Sequence, residues 1–189
     1  MEPVLPQIIA DACQTLQGLL KQESTFDRLA DAAIITLKSG GKILACGNGG
    51  SAADAMHLAE ELIGRYRGNR ISLPGIALNA DSTAITCIAN DFGFDEIFSR
   101  QVEGLGKPGD MLVCFTTSGN STNILRALDA AKKLGVKTVM FTGKDGGKGK
   151  GKADFEIIVP GTDTARIQEA HTLLMHALLE RVEQAFPVK

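Results

Sequence analysis

Residues 42–61, KILACGNGGSAADAMHLAEE, contain the transition that decides the fold. The stretch begins with the apolar run ILAC at 43–46, which is typical of a buried parallel strand. The run breaks at GNGG, residues 47–50, and a helical pattern restarts at Ser51. A strand, a glycine turn and a helix N-terminus aim backbone N–H groups at one point, where the helix dipole favours an anion. We therefore predict a phosphate-binding turn between a first strand and its helix.

The same alternation of apolar runs and helical patterns continues along the chain. Four further runs predict strands, at 75–78, 111–115, 137–141 and 155–159. Helical patterns are found at 84–88, 95–105 and 124–133, and a long amphipathic one covers 165–186. This order predicts an α/β fold, in which a parallel five-stranded sheet carries helices on both faces as a three-layer sandwich.

Two helical stripes precede the first predicted strand. The first covers residues 6–21, and the second runs from a cap at Ser24 or Thr25 to a stop at Gly40 and Gly41. One α/β layer does not need both apolar faces, so we expect them to pack against another subunit. A helical hairpin docked on its own domain is the alternative.

Composition argues against several functional classes. The net charge is −2, and the aromatic residues are eight Phe, one Tyr and no Trp, so neither a basic surface nor base stacking favours nucleic acid. No apolar run approaches a membrane span and the N-terminus lacks a signal pattern, so we expect a cytoplasmic protein without membrane contact. No repeat or linker divides the chain, which predicts one domain over 1–189 with the helical hairpin at about 1–40.

Two further compositional features are expected to be structural. The four cysteines, Cys13, Cys46, Cys87 and Cys114, show no CxxC spacing, and three lie in apolar runs. Buried reduced thiols are therefore expected rather than a disulfide or a metal set. The segment 143–152, rich in Gly and Lys, is expected to be a flexible surface loop rather than a functional basic patch.

A second loop rich in hydroxyl groups, TTSGNST at 116–122, follows the predicted third strand. Hydroxyls and free N–H groups at a helix start can hold a phosphate without a lysine, although the same residues also simply cap helices. Both loops fall at the carboxyl ends of predicted strands, where open α/β sheets bind ligands. Neither matches GxGxxG or GxxxxGK[ST], so a small phosphorylated molecule fits better than a nucleotide.

The three histidines fall in two predicted helices, with His57 in one and His171 and His176 in the last. His57 and Glu61 are spaced i, i+4, and Gln168 and His176 lie near one stripe of their helix. Side by side, the two helices would offer N, O, O and N ligands to a divalent ion such as Zn²⁺. Packed or solvated side chains are the alternative, because the sequence alone does not place the helices together.

Five segments carry a resemblance along essentially the whole chain: GNGGSAADAMHLAEELIGRYR, IANDFGFDEIFSRQVE, TTSGNS, FTGKDGG and ARIQEAHTLLMH. Together they resemble the phosphoheptose isomerase (sedoheptulose 7-phosphate isomerase) family of the sugar isomerase (SIS) domain superfamily. The resemblance implies a flavodoxin-like SIS fold and a homotetramer with active sites at subunit interfaces. It also implies conversion of sedoheptulose 7-phosphate to D-glycero-D-manno-heptose 7-phosphate, the first step of ADP-heptose biosynthesis for the lipopolysaccharide core.

The resemblance further implies roles for individual residues. Contacts to the phosphorylated seven-carbon sugar fall on Asn48, Gly49, Gly50, Ser51, Glu61, Asn90, Asp91, Thr116, Thr117, Ser118, Ser121 and Gln168. One Zn²⁺ per subunit would be held by His57, Glu61, Gln168 and His176. Glu61 is similar to the family's general base and His176 to its general acid. Ala165 stands where some relatives place an acid, and it receives no role.

Some members of the superfamily are not enzymes. They are sugar-phosphate-sensing regulators, or they bind a replication initiator, as the DnaA initiator-associating protein does. Such a protein needs a phosphate cradle but no acid–base pair. The presence of both Glu61 and His176 favours the isomerase, because moving a proton between C1 and C2 through an enediol requires a base and a proton shuttle.

Overall fold

The computed structural model describes residues 3–186, so the ends of the predicted domain, residues 1–2 and 187–189, lie outside it. Its strands are β1 (Ile43–Gly47), β2 (Gly75–Ala77), β3 (Met111–Phe115), β4 (Lys137–Gly143) and β5 (Phe155–Val159). They form one sheet in the order β2-β1-β3-β4-β5, and every neighbouring pair is parallel. The predicted five-stranded parallel sheet is therefore confirmed.

The α-helices of the described chain are α1 (Leu5–Gly18), α2 (Glu23–Lys38), α3 (Gly50–Ile63), α4 (Ser82–Phe92), α5 (Ser99–Leu105), α6 (Thr122–Lys133) and α7 (Thr164–Ala185). The buried side chains of α2, α3 and α7 cover one face of the sheet, and α4, α5 and α6 pack on the other. The three layers agree with the prediction. Across residues 3–186, no helix combines the length and apolar character needed to span a bilayer.

Side chains of the central strands alternate between two cores. In β1, Ile43 and Ala45 point into the core formed with α2, α3 and α7, whereas Leu44 and Cys46 point into the core on the opposite face. β3 alternates in the same way. A strand buried on both faces must be apolar at every position, which explains why the sequence shows continuous runs here rather than alternation.

The start of α2 differs from the prediction. Neither Ser24 nor Thr25 caps the helix, because α2 begins at Glu23 and the preceding residues 19–22 form a 3₁₀ turn. The N–H of Glu23 donates to the carbonyl of Leu20, so the turn itself supplies an acceptor and no capping side chain is needed. The side chain of Gln22 instead exchanges two hydrogen bonds with the backbone of Ile158, which protects the edge strand β5.

One other helical prediction is changed by the structure. The pattern at 95–105 predicts one helical segment, but a 3₁₀ turn at Phe94–Glu96 precedes the separate helix α5. A left-handed Gly93 starts the turn, and Ser99 contacts the carbonyl of Glu96 through its hydroxyl, which separates the two segments. Over residues 3–186, no residue of α1 is buried, and Leu5, Ile8 and Ile9 are exposed on its apolar side.

The cysteines agree with the prediction only in part. All four are free thiols, as expected, and Cys46 and Cys114 are buried with their sulfur atoms 3.6 Å apart. The thiol contact and burial raise the pKa of Cys46 well above its ordinary value, so this thiol stays protonated. Cys13 and Cys87 are exposed, because α1 and α4 present their outer faces to solvent in the single chain.

His171 is a residue of α7, and its side chain is fully buried against the sheet. Its ring lies near Phe115 and Phe141, with centroid distances of 6.1 and 6.4 Å, and its Nε2 donates to the carbonyl oxygen of Thr142 at 3.2 Å. Burial lowers the pKa of His171 to about 4, against a smaller opposing effect of the Thr142 hydrogen bond. The imidazole therefore stays neutral and serves as a structural link between α7 and β4.

The buried, neutral His171 predicts that the folded protein is destabilised at acidic pH. Below its ordinary pKa of 6.5, His171 takes up a proton in the unfolded chain, whereas the folded chain resists protonation down to about pH 4. Stability is therefore lost as the pH falls through this window, by roughly 2 kcal/mol between pH 7 and pH 5. Urea unfolding of the metal-free protein at both pH values should show a smaller pH-dependent loss in His171→Leu. An unchanged loss in this variant would contradict the assignment.

Candidate active site

The turn after β1 has the shape predicted for an anion site. Gly49 adopts a left-handed φ of 58°, and α3 begins at Gly50. The N–H groups of Ser51 and Ala52 donate to the carbonyls of Asn48 and Gly49. Within residues 3–186 the N–H groups of Gly49 and Gly50 donate to no acceptor, so these two are available to a ligand. A Cβ at Gly50 would collide with the side-chain amide of Gln168, so a larger residue there would displace this amide from the turn.

A reciprocal amide pair joins the first turn to the second loop. The side chains of Asn48 and Asn123 each donate to the other at 2.9 Å, and Asn123 also accepts from the N–H of Ile124. Asn123 is buried at the start of α6, beside the loop that follows β3. Sequence reasoning missed Asn123, although an asparagine directly after a hydroxyl-rich loop was a visible signal. The pair holds the two candidate phosphate loops at one end of the sheet.

The second loop is shaped by its own side chains. The hydroxyl of Thr116 accepts from the N–H of Gly119 at 3.2 Å, and the hydroxyl of Ser118 accepts from the N–H of Asn120 at 3.2 Å. Thr116 is buried, whereas Thr117, Ser118 and Ser121 are partly accessible. The accessible hydroxyls lie at the start of α6, where an anion would be favoured.

The segment 143–152 does more than form a surface loop. Its lysines Lys144, Lys148 and Lys150 are exposed, as the prediction requires. Its backbone, however, packs on the second loop, because the N–H of Gly149 donates to the carbonyl of Gly119 at 2.9 Å and the N–H of Lys148 donates to Asn120 Oδ1 at 3.0 Å. The glycines allow this close packing of two backbones.

Replacing Gly119 by alanine should therefore be more damaging than replacing another left-handed glycine. Gly119 has a φ of 63° and a Cβ there would collide with the carbonyl of Gly146, whereas Gly151 has a φ of 75° and open space around it. We expect Gly151→Ala to cost about 1–2 kcal/mol through backbone strain alone. Gly119→Ala should cost about 1–3 kcal/mol more, through overpacking. Urea unfolding measures both, and equal losses would contradict this packing argument.

Three of the four suspected metal ligands, His57, Glu61 and His176, lie together where α3 packs on α7. His57 Nε2 lies 3.2 Å from Glu61 Oε1, and the rings of His57 and His176 have centroids 5.1 Å apart. Gln168 lies eight residues before His176 on α7, and its side-chain amide lies against Gly50. The structure thus brings together side chains that are more than 100 residues apart in the sequence.

The donor set at this seam fits a borderline-soft divalent ion. Ligand atoms of His57, Glu60 and Glu61 all lie within 4.8 Å of one another. Imidazole nitrogen and carboxylate oxygen are ligands that Zn²⁺ accepts. Glu61 faces the interior with 16% of its side chain exposed, whereas the side chain of Glu60 is 66% exposed. Glu61 is therefore the better candidate of the two carboxylates.

A cluster that sequence reasoning missed orients His176. Tyr66 stacks on His176 with ring centroids 5.5 Å apart. The carboxylate of Glu183 accepts from the backbone N–H groups of Tyr66, Arg67 and Gly68, which fastens this segment to α7. The charged segment GRYRGNR at 64–70 was the only visible signal, and a charge run by itself more often marks a solvated surface.

In the single chain, Asn90 and Asp91 lie apart from the other predicted site residues. Both are exposed at the end of α4, where the Asn90 amide donates to Asp91 Oδ1 at 2.7 Å. Throughout the described residues, their side chains form no hydrogen bond with either loop.

A cavity of about 440 Å³ lies elsewhere, between α1 and the start of α7, and it contains none of the predicted site residues.

The chain is an α/β domain with two candidate phosphate loops at one end of a parallel sheet, and it matches the SIS domain family over residues 9–143. It is 49% identical over 177 residues to a phosphoheptose isomerase of Aliarcobacter butzleri, covering 94% of this chain and 90% of that protein. It is 50% identical over 178 residues to a phosphoheptose isomerase of Yersinia pestis, covering 92% of each. The solved phosphoheptose isomerase of Neisseria gonorrhoeae superimposes with a TM-score of 0.88 at 40% identity, covering 95% of this chain and 97% of that one. The chain therefore belongs to the phosphoheptose isomerase family.

Proposed function

We propose that this protein converts sedoheptulose 7-phosphate to D-glycero-D-manno-heptose 7-phosphate. The observation that carries the proposal is the placement of Glu61 and His176 around His57 where α3 packs on α7, with Glu61 on the helix that begins at the glycine turn. An aldose–ketose isomerase needs a phosphate site and an acid–base pair within reach of the same sugar. The relatives at 49% and 50% identity are named phosphoheptose isomerases, which supports the substrate class.

The substrate would be held by its phosphate and by its hydroxyl groups. In this proposal, the N–H groups of the turn and the hydroxyls of the second loop bind the sugar phosphate through Asn48, Gly49, Gly50, Ser51, Thr116, Thr117, Ser118 and Ser121. Helix N-termini bind such anions without a lysine, because their N–H groups and dipole both favour negative charge. Gln168, Asn90 and Asp91 complete the contacts to the sugar chain.

Proton transfer is assigned to two side chains. Glu61 removes a hydrogen from C1 and returns a proton to C2, while His176 moves a proton between the oxygens on the two carbons. The net change is a ketose to an aldose, with no oxidant or reductant consumed. Tyr66 keeps the His176 ring in a fixed plane by stacking on it, so the ring nitrogen stays aimed at one position.

One Zn²⁺ per subunit is part of the proposal, held by His57, Glu61, Gln168 and His176. When bound, the ion would supply Lewis-acid stabilisation for the negative charge that develops on the sugar oxygens. The two roles of Glu61 compete, because a carboxylate that holds a cation is a weaker base. The short approach of Glu61 Oε1 to His57 uses one of its two oxygens and leaves the other for the sugar.

The setting of the enzyme is also proposed. We infer a homotetramer of one-domain subunits with active sites at subunit interfaces, because α1 leaves Leu5, Ile8 and Ile9 uncovered and α4 leaves Asn90 and Asp91 exposed. A subunit interface would cover the apolar side chains of α1 and would bring Asn90 and Asp91 to an active site. We also propose a cytoplasmic location and the first step of ADP-heptose biosynthesis for the lipopolysaccharide core, and the family membership supports both.

Substitutions at the acid–base pair test the assignment. Glu61→Gln and His176→Gln should each lower turnover of sedoheptulose 7-phosphate by about 10²-fold or more, because each removes a proton-transfer group. Binding of the phosphosugar should remain detectable by calorimetry, since the phosphate loops are intact. Glu60→Gln is the matched control, because it changes the neighbouring exposed carboxylate of the same helix. Wild-type turnover in either of the first two variants would refute the roles given to Glu61 and His176.

Removal of metal tests the cofactor and the competing function together. Dialysis against a chelator should abolish turnover in a coupled assay with sedoheptulose 7-phosphate, and added Zn²⁺ should restore it. Turnover that survives complete metal removal would contradict the zinc site. A wild-type protein that binds the phosphosugar but forms no heptose 7-phosphate with Zn²⁺ supplied would instead be a non-enzymatic phosphosugar-binding regulator.

A further inference from the structure

A buried carboxylate lies inside the seam between α3 and α7 and has no role in the site described above. Asp54 is only 7% exposed, and its Oδ1 accepts from the hydroxyl of Thr172 at 2.9 Å. Its second oxygen, Oδ2, is buried and has no hydrogen-bond partner among the residues that the structure describes. A buried carboxylate oxygen without a partner is costly, so its presence calls for a compensating group.

The position of this hydrogen bond relates it to the proposed metal ligands. Asp54 precedes His57 by three residues and Glu61 by seven, so all three lie on one side of α3 at about 100° of rotation per residue. Thr172 lies four residues after Gln168 and four before His176, on one stripe of α7. The Asp54–Thr172 contact therefore joins the two helices between Gln168 and His176 on α7 and about one turn before His57 on α3.

We propose that Asp54 is a positioning residue for the metal site, which it serves by fixing α3 against α7 through Thr172 and by placing a buried negative charge on the face of α3 that carries His57 and Glu61. This inference rests on the proposed function, because it presupposes that His57, Glu61, Gln168 and His176 bind a divalent ion.

The charges around Asp54 support this role. Burial raises the pKa of Asp54, while the Thr172 hydrogen bond and positive charge on His57 or His176 lower it. Both imidazoles therefore lie close enough to Asp54 to act on its charge. Groups behind the ligands of a metal site commonly orient those ligands and tune the site. Among the described residues Asp54 forms its hydrogen bond to Thr172 and none to either imidazole, so it would act on the ligands through the Thr172 link and through its negative charge.

The rival explanation is that Asp54 only cross-links the helices. A neutral asparagine would satisfy that role, because its amide oxygen can still accept from Thr172. Asp54→Asn therefore keeps the cross-link and removes the negative charge. Thr172→Val does the reverse, because it keeps the side-chain shape and the Asp54 carboxylate but removes the hydroxyl donor. Thr172→Ser keeps a hydroxyl at this position and should therefore retain the hydrogen bond.

The chain offers a matched control pair far from the site. Asp154 Oδ2 accepts from the hydroxyl and the N–H of Thr138, each at 2.8 Å, at the opposite, amino end of β4. Asp154→Asn and Thr138→Val change the same chemistry as Asp54→Asn and Thr172→Val. They should affect stability without affecting a metal at the carboxyl end of the sheet.

The experiment measures Zn²⁺ affinity of the full chain by competition with a chromophoric chelator, together with kcat and KM for sedoheptulose 7-phosphate. We expect Asp54→Asn to weaken Zn²⁺ binding by about 10- to 100-fold. Thr172→Val should weaken it in the same direction, Thr172→Ser should restore it, and the control pair should bind Zn²⁺ like the wild type. At saturating Zn²⁺, Asp54→Asn should recover most of its kcat with little change in KM.

The outcomes separate the two proposals. A wild-type protein that neither binds Zn²⁺ nor turns over the sugar would overturn the proposed function and this inference together. Wild-type Zn²⁺ affinity in Asp54→Asn, or a loss no larger than that in Asp154→Asn, would overturn the inference alone. If Asp54→Asn does not fold, the Thr172 variants decide, because a Thr172→Val affinity equal to the wild type would also overturn it.

Discussion

The parallel pairing of β1 with β3 is the constraint on which the site depends. Cys46 of β1 pairs with Cys114 of β3, although the two are 68 residues apart in the sequence. This pairing places the turn after one strand beside the loop after the other, at the point where the strand order reverses and open sheets bind ligands. The Asn48–Asn123 amide pair then closes the gap between them. Neither loop alone would enclose a phosphosugar, and the sheet makes them one site.

The second requirement is the packing of α3 against α7. Gly50 allows the amide of Gln168 to approach the turn, and His57 meets His176 further along the same seam. Along α3, His57 and Glu61 thus follow the first candidate phosphate loop by about two and three helical turns. Rigid helices carry these groups, which suits chemistry that needs fixed distances between a base, a proton shuttle and a metal.

The polar interior of the seam has an energetic cost that the surrounding contacts offset in part. Among the residues that the structure describes, His171 keeps one buried hydrogen bond to Thr142 but its Nδ1 has no partner, and Asp54 keeps one to Thr172 but its Oδ2 has none. An apolar core of the same volume would be cheaper. Natural proteins accept such costs chiefly near functional groups, where a charge or a donor must be held in place.

The sequence by itself determined the α/β class, the five strands, the two loops and the i, i+4 pair of His57 and Glu61. These features depend on local periodicity and on glycine and hydroxyl residues at strand ends, which act over a few residues. The resemblance of whole segments to a known family then supplied Gln168, His176 and the sugar chemistry, which spacing alone left open. The absence of a cap at Ser24 or Thr25 depended on a 3₁₀ turn that no residue pattern marks. Asn123, Tyr66, Glu183 and Asp54 emerged only from the tertiary structure, because their roles come from partners on other elements. The buried hydrogen bond of Asp54 exists only once α7 has packed against α3, and local sequence holds no information on that contact.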